Sequence, residues 1–211
     1  MTTDENNHSS VRAASITHPE VRNRILDAAE KLFREHGYLK VTVADVAEDL
    51  DMSPANVYRF FESKAALREA LVYRLTGQVE VQCADVIHRD GTASERLSRM
   101  IVEYHRLTLD RYLSAFNSHE MLDNAIRENW GVIAEHTDRM KKLIWEVILD
   151  GVHNDEFKVN DVDCATRLVY YAIIPFIDPT NVALMFAKDE DFKQAREMSV
   201  FILGALKSGC V

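Results

Sequence analysis

The stretch "DMSPANVYRFFESKAAL", residues 51–67, sets Ser-Pro, an Asn, a Tyr-Arg pair, two Phe and a Lys within one short segment. Ser53 followed by Pro54 is the pairing expected at a helix start: a side-chain cap, then a ring whose missing N–H is no loss in the first turn. Val57 and Phe61 lie four apart and point the same way on a helix. Tyr58, Arg59 and Lys64 do not fit the packed stripe. The spacing predicts a short helix, Ser53 to Phe60, with a narrow buried face and a broad polar one. Ser63 then caps a further helix, in which Leu67, Ala70, Leu71 and Leu75 repeat the apolar stripe.

Upstream, Thr17-x-x-Glu20 fits a capping box, and Pro19 is tolerable in a first turn. Ile25, Ala28, Ala29, Leu32 and Phe33 recur at helical spacing before Gly37, a left-handed stop. Thr42, with Asp45 three residues on, opens a second helix that buries Val43, Val46, Ala47 and Leu50 and ends near Asp51. Two short helices joined by a tight turn and resting on a longer one make a helix-turn-helix.

Residues 20–67 resemble the N-terminal domain of TetR-type bacterial transcriptional regulators. The resemblance rests on the order of "ILDAAEKLFREHGY" and then "VTVADVAEDLDMSPANVYRFFESKAAL", with Gly37, Tyr38, Thr42, Val46, Ala47, Ser53, Val57, Tyr58, Phe61 and Lys64 at the family's spacing. It implies double-stranded operator DNA as partner. Thr42, Tyr58 and Lys64 would contact phosphates, and Ser53, Pro54, Ala55, Asn56 and Arg59 would read bases. Asn pairs bidentately with adenine and Arg with guanine. Pro54-Ala55 stands where the family commonly has Lys-Gly, and Arg59 where His is frequent. A cation is thereby exchanged for apolar contact suited to a thymine methyl, and another is restored nearby.

The rest of the chain bounds this reading. Of 211 residues, 47% are hydrophobic, and with only 7 Gly and 4 Pro a turn-rich β architecture is excluded. Helical period continues to the end: Leu97, Ile101, Tyr104 and Thr108; Met140, Leu143, Ile144, Val147 and Ile148; Leu168 to Ile174; Phe192 to Leu206. Gly151 and the polar stretch from His153 to Asp163 read as a connection, and Pro175 and Pro179 as a break between the last two helices. The fold class is all-α: residues 1–16 a flexible arm, 17–64 a helix-turn-helix DNA-binding domain, 65–211 a helical ligand-binding and dimerisation domain.

Cys83, Cys164 and Cys210 are scattered, as expected of reduced thiols. The longest apolar run, Leu168 to Ile177, is about half of the roughly 20 residues a membrane span needs, and no signal-peptide core opens the chain. The expected location is the cytoplasm, with no membrane partner. His105, His119, His136 and His153 lack metal-ligand spacing and read as surface or pocket-lining side chains. No phosphate loop or nucleophile elbow is present, so no catalytic residue and no cofactor is expected.

Net charge is −9, and residues 20–64 hold nine acids against seven bases, so DNA binding requires the bases to converge on one face. Met100, Tyr104, His105, Phe116, Met121 and Trp130 fall in a segment rich in aromatics and Met. Core packing explains each singly. The family resemblance implies that together they line a site for a largely apolar small-molecule effector. The last two helices carry apolar residues around more of the cylinder than one core covers, and the family places its dimer interface there. The sequence thus reads as a ligand-responsive homodimeric repressor of a palindromic operator. The second reading is a helical protein-interaction module that has lost DNA binding.

Overall fold

The computed structural model describes residues 18–114, 131–186 and 190–209. The expectations for Thr17, the arm 1–16, Phe116, His119, Met121, Trp130 and Cys210 lie outside those residues. Every regular element among the described residues is helical: α1 (His18–His36), α2 (Val43–Asp49), α3 (Pro54–Tyr58), α4 (Lys64–Ile87), α5 (Ala93–Ser114), α6 (Gly131–His153), α7 (Val162–Ile177) and α8 (Lys193–Ser208). Between α7 and α8 the chain passes through a turn at Pro179–Asn181, a π-helical turn at Val182–Phe186 and a 3-10 turn at Glu190–Phe192.

Local chemistry sets the first four helices. Gly37 (φ 86°) takes the left-handed conformation after α1, and its N–H donates to the Phe33 carbonyl at 3.0 Å. Thr42 and Asp45 form a reciprocal capping box at α2. Asp51 (φ 54°) turns the corner between α2 and α3 while the Met52 N–H donates to the Ala47 carbonyl at 2.8 Å. The Ser53 and Ser63 hydroxyls accept from the Asn56 and Ala66 N–H groups, capping α3 and α4.

Two apolar clusters result. The head cluster joins Ile25, Leu26, Ala29 and Phe33 of α1 to Val46, Ala47, Val57 and Phe61, and to Leu67, Leu71 and Val72 of α4. Val132 of α6 reaches into it. The body cluster takes Val79, Cys83 and Ile87 from the later turns of α4 and packs them with Met100 and Ile101 of α5 and Met140 and Ile144 of α6. Val169 and Ile173 of α7 and Ile202 and Leu206 of α8 complete it. One helix therefore contributes to both.

Three expectations are corrected. Gly151 lies inside α6, not in a connection, because Phe157 folds back against it. A Cβ at Gly151 would sit 2.2 Å from Phe157 Cδ2, and Phe157 and Val159 are buried. The Glu156 carboxylate in the same segment accepts from Ala93 N (2.8 Å), Ser94 N (3.1 Å) and Ser94 Oγ (3.0 Å), closing the start of α5. Burial pushes that carboxyl up, yet these donors outweigh it and hold it below the usual range. Pro175 does not end α7, which runs to Ile177. The lost N–H falls in the last turn, where His105 Nδ1 donates to the Phe176 carbonyl at 2.8 Å and Asp178 N to the Ile174 carbonyl at 2.9 Å. Phe192 precedes α8 in a left-handed conformation (φ 55°) and is not its first helical residue.

Gly151→Ala should therefore cost about 1–3 kcal/mol, the range for overpacking a tight interior. Urea unfolding checks it: a lowered midpoint is expected, and an unchanged one would mean that the Phe157 contact yields freely.

Candidate nucleic-acid interface

Helix α3 has one buried residue, Val57, and Phe61 one turn later anchors the same edge. With that edge fixed, Ser53, Pro54, Ala55, Tyr58 and Arg59 are exposed and Asn56 is half-buried. Arg59 Nη1 lies 3.5 Å from Asn56 Oδ1, so the two polar side chains proposed to read bases stand together. The geometry brings all six of these residues to a single outward surface. Phe60 is half-buried with its ring 5.5 Å from that of His18.

Lys64, one helical start later, sits over the Tyr38 ring at 4.7 Å, and its ammonium donates to the Leu39 carbonyl at 3.4 Å. Arg68 stacks on the same ring, also at 4.7 Å, and its guanidinium donates to the Tyr38 hydroxyl. Partial burial, then the charge of Arg68, push the Lys64 ammonium below the usual lysine range, with Asp45 opposing. Two cations crowd one ring, and an anion arriving there would relieve their repulsion. The sequence flagged Lys64 but not Arg68, whose position reads as an ordinary helical surface residue; its burial shows only in three dimensions.

Thr42 stands at this corner but is internally engaged. Its hydroxyl accepts from Asp45 N at 3.2 Å and donates to Asp45 Oδ2 at 2.8 Å, while its own N–H donates to the same oxygen at 2.6 Å. The Asp45 carboxyl is held below its usual range by these bonds, first the backbone one. To donate to a phosphate, the Thr42 hydroxyl would have to exchange its bond to Asp45.

Some of the acids that made the head's balance unfavourable are engaged in internal contacts. Asp49 pairs with Lys31 at 2.7 Å, and Arg74 of α4 holds Asp27 at 2.5 Å and Glu30 beside it. Asp45 is consumed by the capping box. The formal count is unchanged, but Asp27, Glu30 and Asp49 each have a cation beside them, whereas Asp45 keeps its charge within the capping box.

In the body, Met100, Tyr104 and His105 are packed between helices, at most 5% exposed. Tyr104 Oη lies 2.7 Å from His136 Nε2, and His136 Nδ1 lies 2.7 Å from Glu80 Oε1, which leaves the donor to the ring nitrogen. Arg139 Nε donates to the other Glu80 oxygen at 2.6 Å. The chain joins α4, α5 and α6. His105 is ringed by Phe176, Phe186 and Phe192, with centroids 5.7, 5.5 and 6.1 Å away. Of the histidines read as surface or pocket-lining, His153 is exposed and His105 and His136 are buried between helices. Partners dozens of residues away carry this network, so no local sequence signal marks it. Among the described residues no group of three His, Cys, Asp or Glu side chains is placed to hold a metal, and no single helix is long and apolar enough to cross a membrane.

A sequence profile described as "Bacterial regulatory proteins, tetR family" matches residues 25–71, and one described as "Tetracyclin repressor-like, C-terminal domain" matches residues 93–196. The HTH-type transcriptional regulator MT1294 of Mycobacterium tuberculosis is 36% identical over 92 residues, 42% of this chain and 44% of the relative, so the match spans less than half of that protein. The HTH-type transcriptional repressor KstR2 of the same organism is 21% identical over 155 residues, covering 70% of this chain and 75% of the relative. The crystal structure of the regulator FadR from Bacillus subtilis, in complex with stearoyl-CoA, superposes with a TM-score of 0.64 over 89% of this chain and 98% of that one, at 21% identity. With the capped helix-turn-helix at one end and matched helices at the other, this chain belongs to the TetR family of bacterial transcriptional regulators, helix-turn-helix DNA-binding proteins rather than enzymes.

Proposed function

We propose that this chain is a cytoplasmic repressor that binds a palindromic operator as a homodimer and releases it when a largely apolar effector binds the body. The observation that carries the reading is the geometry of α3: a single buried anchor, Val57, and a continuous outward surface from Ser53 to Arg59. In this reading residues 17–64 serve the DNA and residues 65–211 the effector and partner subunit. Asn56 and Arg59 pair with base edges, Pro54 and Ala55 meet thymine methyls, and Tyr58, Lys64 and, after exchange of its Asp45 partner, Thr42 reach phosphates.

Support for the homodimer comes from large apolar residues left exposed on α7 and α8. Leu168, Tyr171 and Ile174 form an exposed row along α7, and Val200 and Phe201 are 68% and 73% exposed on α8. Ile202, beside them, is 4% exposed and belongs to the subunit's own core. Phe201, rather than Ile202, is therefore the position at which a charge would disrupt assembly without disrupting the subunit's core.

For the effector, the reading places Met100, Tyr104, His105, Phe116, Met121 and Trp130 around the ligand, with the Tyr104–His136 pair as its polar end. The FadR neighbour, which holds an acyl-CoA, makes long-chain acyl-CoA a sensible first probe. An effector need only bind one conformer better than the other, and Glu80 on α4 ties the Tyr104–His136 pair to the helix that enters the head.

Three outcomes are expected. On an operator recovered by selection, Asn56→Ala should lose about 1–3 kcal/mol and relax preference at one base pair, while Lys64→Ala should weaken all sequences alike and flatten the salt dependence. Wild-type binding by both variants would pass the helix-turn-helix to a protein-interaction role. Phe201→Glu should give folded monomers by light scattering, because an unpaired charge would be buried at the interface, whereas Ile202→Glu should fail to fold. A dimeric Phe201→Glu protein would remove this interface. Finally, an acyl-CoA that raises the melting temperature should bind more weakly to the operator complex, by the same factor that it weakens operator binding. Equal calorimetric affinities with and without operator would separate the body's ligand from regulation.

A further inference from the structure

A second concave surface adjoins the reading helix. The N-terminal turns of α1, the end of α3 and the first turns of α4 enclose an open groove of about 390 Å³ lined by Arg22, Tyr58, Arg59, Phe60, Phe61 and Glu62. Its remaining wall is Ala66 and Ala70, four apart on α4, whose small side chains leave the space unfilled.

We infer that this groove seats a phosphodiester of the operator strand, with Arg22 as its cation, so that DNA is held by α1 as well as by the helix-turn-helix. The inference rests on the proposed DNA reading and extends its footprint to an element that reading leaves unused. Three features support it. The Arg22 guanidinium lies over the Phe61 ring, 4.9 Å from its centroid, and Phe61 is fixed in the head core at 3% exposure. A stacked guanidinium is oriented before its ligand arrives, which lowers the entropy lost on binding. Secondly, the lining holds two arginines and a tyrosine against one carboxylate residue, Glu62, so its charge balance favours an anion in a chain of net charge −9. Thirdly, among the described residues the neighbouring cations Lys31 and Arg74 are committed to carboxylates, whereas the contact of Arg22 is to a ring. Tyr58 and Arg59 belong both to the reading surface and to the groove, so a strand contacting one passes the other.

The groove is open, as a continuous backbone requires, and its lining residues carry two donor types, a planar fork and a hydroxyl. Both suit phosphate oxygens. The contact carries no base information, so its loss should weaken specific and random duplexes in proportion.

The test is a salt titration of operator binding for the full chain and for the Arg22→Ala, Arg22→Lys and Lys64→Ala variants, with circular dichroism melts to confirm folding. Arg22→Ala should weaken operator and random DNA about three- to tenfold and reduce the slope of log K against log salt by about 0.9, the value for one phosphate contact. Arg22→Lys should restore the slope but only part of the affinity, because the charge returns without the stack. Replacing flanking phosphates one at a time with neutral methylphosphonates should reveal one position where the wild type loses affinity and Arg22→Ala loses nothing more. A wild-type slope for Arg22→Ala, beside a flattened one for Lys64→Ala, would overturn the groove assignment and leave the DNA reading standing. Unchanged slopes in both would overturn the two together. Inorganic phosphate at constant ionic strength is the competitor arm. It should weaken wild-type operator binding more than that of Arg22→Ala; phosphate that protects the wild type, but not Arg22→Ala, against thermal unfolding while leaving operator affinity unchanged would give the groove to a free anion and the DNA assignment would fall.

Discussion

Helix α4 is packed into two cores at once, and the rest of the molecule is arranged around that constraint. Its early residues Leu67, Leu71 and Val72 close the head cluster, and its later residues Val79, Cys83, Val86 and Ile87 belong to the body. At about 1.5 Å per residue its 24 residues span about 36 Å, so a small rotation at one end becomes a displacement of several ångströms at the other. Arg74, between the two sets, ties α4 to Asp27 and Glu30 of α1, and Glu80 ties it to His136 and Arg139 of α6. The head cannot tilt without disturbing bonds on both sides. That is the physical basis on which a body-bound ligand would alter the placement of α3.

Charge organisation follows from the same frame. An acidic chain repels DNA unless its carboxylates are neutralised where they sit, and here long-range pairs do that work on α1 and α4 while Arg59, Lys64 and Arg22 remain at the α3 side. Similar pairing continues through the body, where Arg96 meets Asp150 at 2.5 Å and Arg106 meets Glu103 at 2.7 Å. Surface pairs of this kind add little to stability. Their consequence here is electrostatic shape: a field set by local arrangement instead of by the formal total.

Features that depend on neighbours within four residues were legible in the sequence. The caps at Thr42, Ser53 and Ser63, the stop at Gly37 and the shared edge of Val57 and Phe61 are all local, and the structure has each of them. What escaped depends on distant partners. Gly151 looked like a break because Phe157 and Ala93, which fill the space its side chain would take, cannot be placed by periodicity. Pro175 looked like a terminator because the donors that complete the end of α7 include His105 of α5. The choice between Ile202 and Phe201 needed the rotation of α8 against α5 and α7, which an all-round apolar helix does not encode. The residues proposed to read bases lie in or beside one short helix, and the family resemblance alone points to them. Arg22 lies more than 30 residues upstream, and only the folded head brings it beside Tyr58.

The central claim is that two symmetry-related heads read DNA with residues 53–59, and selection of bound sites from random duplex DNA by the full chain tests it most directly. The account predicts an inverted repeat whose half-site centres lie one helical turn apart, about 10–10.5 base pairs or 34–36 Å, or a whole multiple of that spacing. Recovery of no enriched sequence, or of a single unpaired half-site, would contradict it.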